Sequence, residues 1–389
     1  PSPQLLTSWI KRAGTLAELE RLERQHGGSF NHIHTAAAIT QAAQLASAGA
    51  AAAKFRPLLG RLLRERLQPQ LGDCGARQLA NVVWACGKLG YAEAPQLDAC
   101  MERLVLKAGE ADPQHLANAL YAAALLRETG YRIDERRAQQ LVEGLVRKQG
   151  ALVPQDVSNT LWAAAAMELP LAAETWQQLL RVLAARAPQA DPQHVSNALW
   201  AAAKRQADFT HMSDAKDSEA ALLQLAGAIK GSQVAAMIPQ HVSNSLWALS
   251  ELGLRPGRLT ALLSDAALRL APDMAPQHVS NTALAAAKLG CGDSRLFAAL
   301  AEAAGKRVAS FKPQDLCNLC WAVAVADEQQ LSGAVVALCR QLAERQWDDT
   351  VAEERHQLQQ VHLWLLGQQP GGGGLAPALS AAQLRQCVE

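Results

Sequence analysis

The sequence predicts an all-α fold, an α-solenoid (right-handed superhelix) of stacked helical hairpins, and three observations carry the prediction. Alanine and leucine supply most of the apolar mass in a chain that is 49% hydrophobic but only 4% aromatic; such a composition favours helices and lacks the Val, Ile and Phe runs of a parallel sheet. One phrase, Pro-Gln-His/Asp-x-x-Asn-x-Leu-Trp in its fullest form, recurs in register, with asparagines at Asn81, Asn118, Asn159, Asn197, Asn244, Asn281 and Asn318, spaced 37, 41, 38, 47, 37 and 37 residues. Segments between the phrases place apolar residues at i, i+3 and i+4, the mark of an amphipathic helix. A period of this length accommodates two helices of about 13 residues with short connections.

Taken in order, Leu5 to Leu22 reads as one amphipathic helix. Asn31-His32-Ile33-His34-Thr35-Ala36-Ala37-Ala38-Ile39 is a worn copy of the phrase with Ala37 in the asparagine slot, so residues 1–70 form an N-terminal cap and degenerate first repeat. Terminal copies deviate because they cap the stack. Residues 71–350 hold seven clear repeats. In six of the seven phrases Pro occupies the first helical turn, where its missing N–H leaves no bond unmade, and in the degenerate copy Ala76 stands there. The alanine-rich continuation ends, as at Gly290, on a residue suited to a C-cap. Second helices follow, such as Leu259, Leu262, Leu263, Ala266, Ala267 and Leu270 on one stripe. Such a hairpin cannot bury both its sides alone, and stacking completes the core. The polar stretch Asp208 to Glu219 reads as a surface insertion between helices, where added length costs little. Residues 351–389 read as a degenerate repeat (Gln357 to Leu366, with Trp364 in the tryptophan slot), a flexible break at Pro370 to Gly374 and a terminal helix. The whole chain, 1–389, is expected to be a single helical-repeat solenoid.

Charge and cysteine narrow the function classes. Lys plus Arg number 37 against 36 Asp plus Glu, a net charge of +1, so any polyanion must be met by a local patch. The eight cysteines lie mostly in apolar helical patterns, which suits reduced thiols. No run of 18 uninterrupted apolar residues offers a membrane span. The chain begins at Pro1 without an Arg/Ser-rich leader, so any targeting segment is expected to have been removed or to lie outside it.

With the phrase numbered from Pro as zero, steps of about 100° put positions 3, 7, 10 and 11 against the second helix. Position 8 holds Trp84, Tyr121, Trp162, Trp200, Trp247 and Trp321, and is expected to pack between repeats, with base stacking as the alternative. Positions 2, 5, 9 and 12 are expected to point away from the second helix. They hold His115, Asp156, His194, His241, His278 and Asp315, the seven asparagines, alanines, and Lys88, Lys204 and Lys288. An amide that both donates and accepts suits contact with a base edge, ribose or phosphate, and equally a ladder between repeats. Position 6 varies within the fixed frame, with Thr160, Ser245 and Thr282 among its occupants. That pattern fits a one-base-per-repeat reader, or a slot that takes any small residue.

At these residues the sequence resembles the octotricopeptide repeat family of green-algal chloroplasts and mitochondria, over about residues 28 to 368. Ser8-Trp9-Ile10-Lys11 and Asn31-His32-Ile33-His34 look like the N-terminal part of family members. Gln357 to Trp364 with Ala381 to Cys387 resembles the region preceding a RAP domain, which does not follow before Glu389. The resemblance implies a mitochondrial or chloroplast RNA-binding protein, its targeting peptide absent from this chain. Such a protein holds single-stranded RNA in a concave groove for transcript stabilisation, processing or translation. The alternative is a structural component of an organellar ribosome that clamps ribosomal RNA fragments and neighbouring proteins. Either role implies other proteins of a ribonucleoprotein assembly as partners, with no membrane and no small-molecule substrate.

No catalytic constellation stands out, and no enzyme activity, cofactor or metal is expected. Cys317-x-x-Cys320 is a single pair without a second at zinc spacing. His32 and His34 could ligate a metal, but a worn repeat explains them as well. Gly371 to Gly374 lacks the preceding strand and following Lys-Ser/Thr of a phosphate loop.

Overall fold

The computed structural model describes residues 1–47, 52–205, 215–368 and 373–388, and among them every regular element is helical. The chain forms an α-solenoid of helical hairpins divided into two compact units, Pro1–Arg186 and Ala187–Glu389.

In the first unit α1 (Pro3–Arg12) and α2 (Leu16–His26) precede α3 (His32–Ser47), the worn first helix. A short helix, α4 (Arg56–Arg61), runs into a π-helical turn at Leu62–Leu67. Three hairpins follow: α5 (Ala76–Leu89) with α6 (Ala94–Leu106), α7 (Pro113–Leu126) with α8 (Glu135–Val146), and α9 (Pro154–Met167) with α10 (Ala173–Ala185). The single helix expected over Leu5 to Leu22 is two. Thr15 Oγ1 accepts from Glu18 N, and the Glu18 carboxylate accepts from Gly14 N at 2.7 Å. Thr15 is thus the N-cap of a new helix, and Glu18 reaches back past it to the N–H of Gly14.

In the second unit, α11 (Pro192–Lys204) is followed by α12 (Ala215–Ala228) and the short α13 (Gly231–Ala235). Next come α14 (Pro239–Glu251) with α15 (Gly257–Leu270), α16 (Pro276–Leu289) with α17 (Ser294–Lys306), and α18 (Pro313–Val325) with α19 (Ser332–Arg345). The unit ends on α20 (Ala352–Gln368) and α21 (Ala381–Val388). Most of the expected insertion, Asp208 to Asp214, lies outside the described residues, as do Pro370 to Gly372; from Ala215 the polar segment is helical.

Within each unit, first helices pack on first helices and second helices on second helices. Alanine makes the first layer possible. A Cβ on Gly87 of α5 would meet Ala122 Cβ of α7 at 2.8 Å, so these backbones approach more closely than larger side chains would allow. Basic side chains then tie each repeat to its neighbour through backbone carbonyls. Lys148 donates to Gly109 O (2.8 Å) and Ala111 O, Arg186 to Gly150 O, Arg269 to Ala235 O and Arg307 to Met274 O. At the opposite ends of the hairpins Arg127 donates to Ala166 O, Arg255 to Lys288 O and Arg258 to Ile229 O. These cations satisfy carbonyls left over at helix ends.

The C-terminal copy sits four residues away from the expected register. The Glu354 carboxylate caps the start of α20 by accepting from Val351 N, as Asp315 does from Lys312 N in α18. Gln357 therefore fills the asparagine slot and Gln360 the tryptophan slot, bonded to Asn318 and Trp321 respectively. Trp364 stands one turn later, donating to Asp327 Oδ1.

Candidate nucleic-acid interface

Three neighbours cover each inner first helix: its own second helix and the first helices before and after it. One sector remains. At about 100° per residue, positions 1, 5, 8 and 12 fall within a sector of about 60°, and burial follows that division. In α16, Gln277 and Lys288 are exposed and Asn281 and Leu284 half-buried, while Val279, Ser280, Thr282, Ala283, Ala285 and Ala286 are buried. The same alternation recurs in α5, α7, α11, α14 and α18.

This placement revises the expected face in three ways. Position 9 is buried, as at Ala248 and Ala285, and Ala122 in that slot lies against Gly87 of the preceding first helix. Position 6 is buried too, with Thr160, Ser245 and Thr282 all at 0% exposure. Thr160 Oγ1 donates to Asp156 O within its own helix and Thr282 Oγ1 faces Met274 Sδ. Burial at this depth favours the slot that takes any small residue over the one-base-per-repeat reader. Position 2, the third correction, is a helix cap. His115 Nδ1 accepts from Asp112 N and His194 Nδ1 from Asp191 N; the Asp156 and Asp315 carboxylates accept from Val153 N and Lys312 N. The side chain at N3 thereby satisfies the N–H of the residue before the helix. His241 and His278 keep the same place without a partner on Nδ1. Burial lowers the pKa of His115, His194, His241 and His278 and raises that of Asp156 and Asp315. In all six the shift is toward the neutral form, and burial is its first cause.

The asparagines do share the open sector. Asn81, Asn118, Asn197, Asn244, Asn281 and Asn318 are half-buried and Asn159 is buried. Among the described residues only Asn318 works as a ladder, donating to Ser280 Oγ at 3.2 Å and accepting from Gln357 Nε2 at 2.9 Å.

The tryptophans, expected in the core between repeats, stand on this sector as well. Trp84, Trp162, Trp200, Trp247 and Trp321 are half-buried, and Trp84 shares a cleft with Asn81 and Asn118, Trp200 and Trp247 one with Asn244, Asn281 and Asn318. Neighbouring rings touch: Tyr121 and Trp162 have centroids 4.8 Å apart, tilted by 41°. Lys204 Nζ lies 5.7 Å from the Trp200 ring centre and 5.4 Å from that of Trp247, and Lys88 lies 5.9 Å from Tyr121. Each is a cation over an aromatic face. Lys288 differs, for its charge is met by Glu251 at 2.9 Å.

Two clefts open on this face. One, of about 520 Å³, has Trp247, Asn281, Asn318, Lys204, Lys312 and Gln314 in its walls. The other, of about 560 Å³, lies over α3. No protein-family model and no curated protein matches this chain. Gln277 and Gln314 of position 1, together with Lys312, went unselected in the sequence. The repeated Gln was the available signal, since one step of 100° sets it beside the asparagine row.

The cysteines carry no site. Cys317, Cys320 and Cys339 are buried, with Cys320 Sγ and Cys339 Sγ 3.8 Å apart as free thiols. Burial holds the Cys317 thiol well above its usual pKa, the unreactive state. Among the described residues no group of three or more His, Cys, Asp or Glu is arranged to hold a metal, and no helix is long and apolar enough to cross a membrane.

Proposed function

We propose that the chain is an octotricopeptide-repeat type RNA-binding protein that takes single-stranded RNA along the asparagine and tryptophan face of its first helices. The observation that carries this reading is Lys204 lying over Trp200 and Trp247, beside the Asn244, Asn281 and Asn318 row. Cation, ring and amide together are the chemistry that meets a phosphate, a base face and a base edge. Several cations of the inter-repeat turns are engaged with carbonyls, so phosphate contacts fall to cations of the face itself, such as Lys204 and Lys312. Replacing Asn197, Asn244 and Asn281 together by Ala weakens binding of single-stranded RNA in a filter or anisotropy assay while circular dichroism stays helical. Unchanged affinity removes the proposal.

A second reading, a structural component of an organellar ribosome, is favoured by the near-zero net charge of the chain, which suits protein neighbours as well as RNA. Co-sedimentation with ribosomal subunits after a high-salt wash supports it, and release into a light RNA-containing fraction supports the first. Mitochondrial or chloroplast location belongs to both readings, and tagging the full-length protein in cells tests it.

A further inference from the structure

The two worn terminal repeats treat the open sector differently. At the C-terminal end Gln357 and Gln360 replace the asparagine and tryptophan, and each bonds back to its neighbour, Asn318 or Trp321, closing the face. At the N-terminal end α3 carries Ala37 and Thr40 in those slots, and neither fills the space. The Thr40 hydroxyl donates to Ala36 O of its own helix. What remains is the cleft of about 560 Å³, a size within the ~300–1,000 Å³ range of small-ligand sites. Ala37 and Thr40 line it from α3, Trp84, Asn81 and Arg77 from α5, and Lys11 from α1. Lys11 and Arg77 are exposed. Gln41 Nε2 donates to Ala13 O just beyond α1, tying that segment to α3 beside the cleft.

We propose that this cleft is a nucleotide site. A base stacks on Trp84 in the place of the ring that α3 lacks, Asn81 meets its edge, and Lys11 and Arg77 meet the phosphate. The inference rests on the RNA-binding reading and deepens it, assigning one nucleotide of the bound strand to the first repeat. An aromatic wall beside two cations is selective for a planar ring carrying an anion, and a free mononucleotide offers the same chemistry.

The test closes the cleft with the repeat's own residues. Thr40→Trp combined with Ala37→Asn is compared with the unmodified protein and with the triple asparagine variant, using an oligouridylate carrying 4-thiouridine and, separately, adenosine monophosphate. The expected result is roughly a tenfold loss of RNA affinity, the effect of one stacked base, and loss of the photo-crosslink to the peptide bearing Trp84. Lys11→Gln with Arg77→Gln, both at exposed positions, lowers affinity and flattens the salt dependence without touching the packing. If both cleft variants bind and crosslink as the unmodified protein does while the triple variant loses RNA, the cleft proposal is overturned and the groove reading stands. Adenosine monophosphate bound at Trp84 without any RNA binding upholds the cleft and overturns the groove. Binding of neither overturns both.

Discussion

First helices meet through alanine and glycine, whereas second helices meet through larger side chains and through cations donated to the neighbour's carbonyls. The first layer is uniform where its backbones approach most closely: Ala85, Ala122, Ala163, Ala201, Ala248, Ala285 and Ala322 hold one slot, and Leu120, Leu161, Leu199 and Leu246 hold another in four copies. The second layer varies, burying Leu141 and Leu145 in α8, Trp176 and Leu179 in α10, Phe297 and Leu300 in α17. Close backbone approach tolerates few residues, which fixes the first layer's sequence. Side-chain interdigitation has many solutions of equal volume. Repetition of the first helix is therefore partly a packing constraint. Positions 1, 5 and 8 repeat on the sector that the neighbouring helices leave half-open, and packing alone leaves that repetition unexplained.

The largest effect that tests this contrast is expected where the layers join. Leu246→Ala, at 0% exposure, lowers stability by about 2–5 kcal/mol in urea denaturation. Trp247→Ala removes a larger side chain from the half-buried sector and costs less; a greater loss for Trp247 would return the tryptophans to the core. Next are the ties of the second layer. Arg307→Ala leaves Met274 O without its 2.8 Å donor, at a cost of about 1–3 kcal/mol. Equal stability of variant and parent would show water replacing the guanidinium.

Two glycines oppose the layers directly. Gly87→Ala forces a Cβ onto Ala122 between first helices and destabilises by about 1–3 kcal/mol. Gly305→Ala in α17 meets nothing within 4 Å and stabilises by about 0.4–1 kcal/mol. Thermal melts of the pair that shift in the same direction would refute the difference in spacing.

The smallest effect concerns the caps. His115 and His194 have folded pKa values lowered by burial, and Nδ1 must stay unprotonated to accept the cap bond. Their contribution is full above the ordinary histidine pKa of about 6.5 and is lost as pH falls through the lowered folded values. A His115→Asp, His194→Asp variant keeps an acceptor oxygen in either protonation state. Its urea midpoint is expected to fall less between neutral and mildly acidic pH than that of the parent.

Much of this molecule is local and was legible in the residues themselves. The repeat, its hairpin, the proline at the first turn and the glycine caps rest on propensity and on bonds between residues three or four apart, so composition and spacing suffice to read them. The asparagine row was found on an open face for the same reason. The break at Gly14 was readable from Thr15 and Glu18, yet the apolar periodicity running across it favoured one helix. The C-terminal register was missed because Trp364 imitates the tryptophan slot, whereas Glu354, the capping residue, carries the true phase.

Which sector of the first helix stays open is a different kind of fact. Periodicity orders residues around a helix axis but does not say where three neighbours will touch it. The sequence by itself determined an α-solenoid, its unit and the residue types that repeat. The tertiary structure alone decided that Thr160, Ser245 and Thr282 are sealed between helices, that His115 and His194 cap, and that Trp84 borders a cleft left by Ala37 and Thr40. Exposure belongs to the contacts among helices about 37 residues apart, and those contacts are set by backbone approach distance, which no single repeat contains.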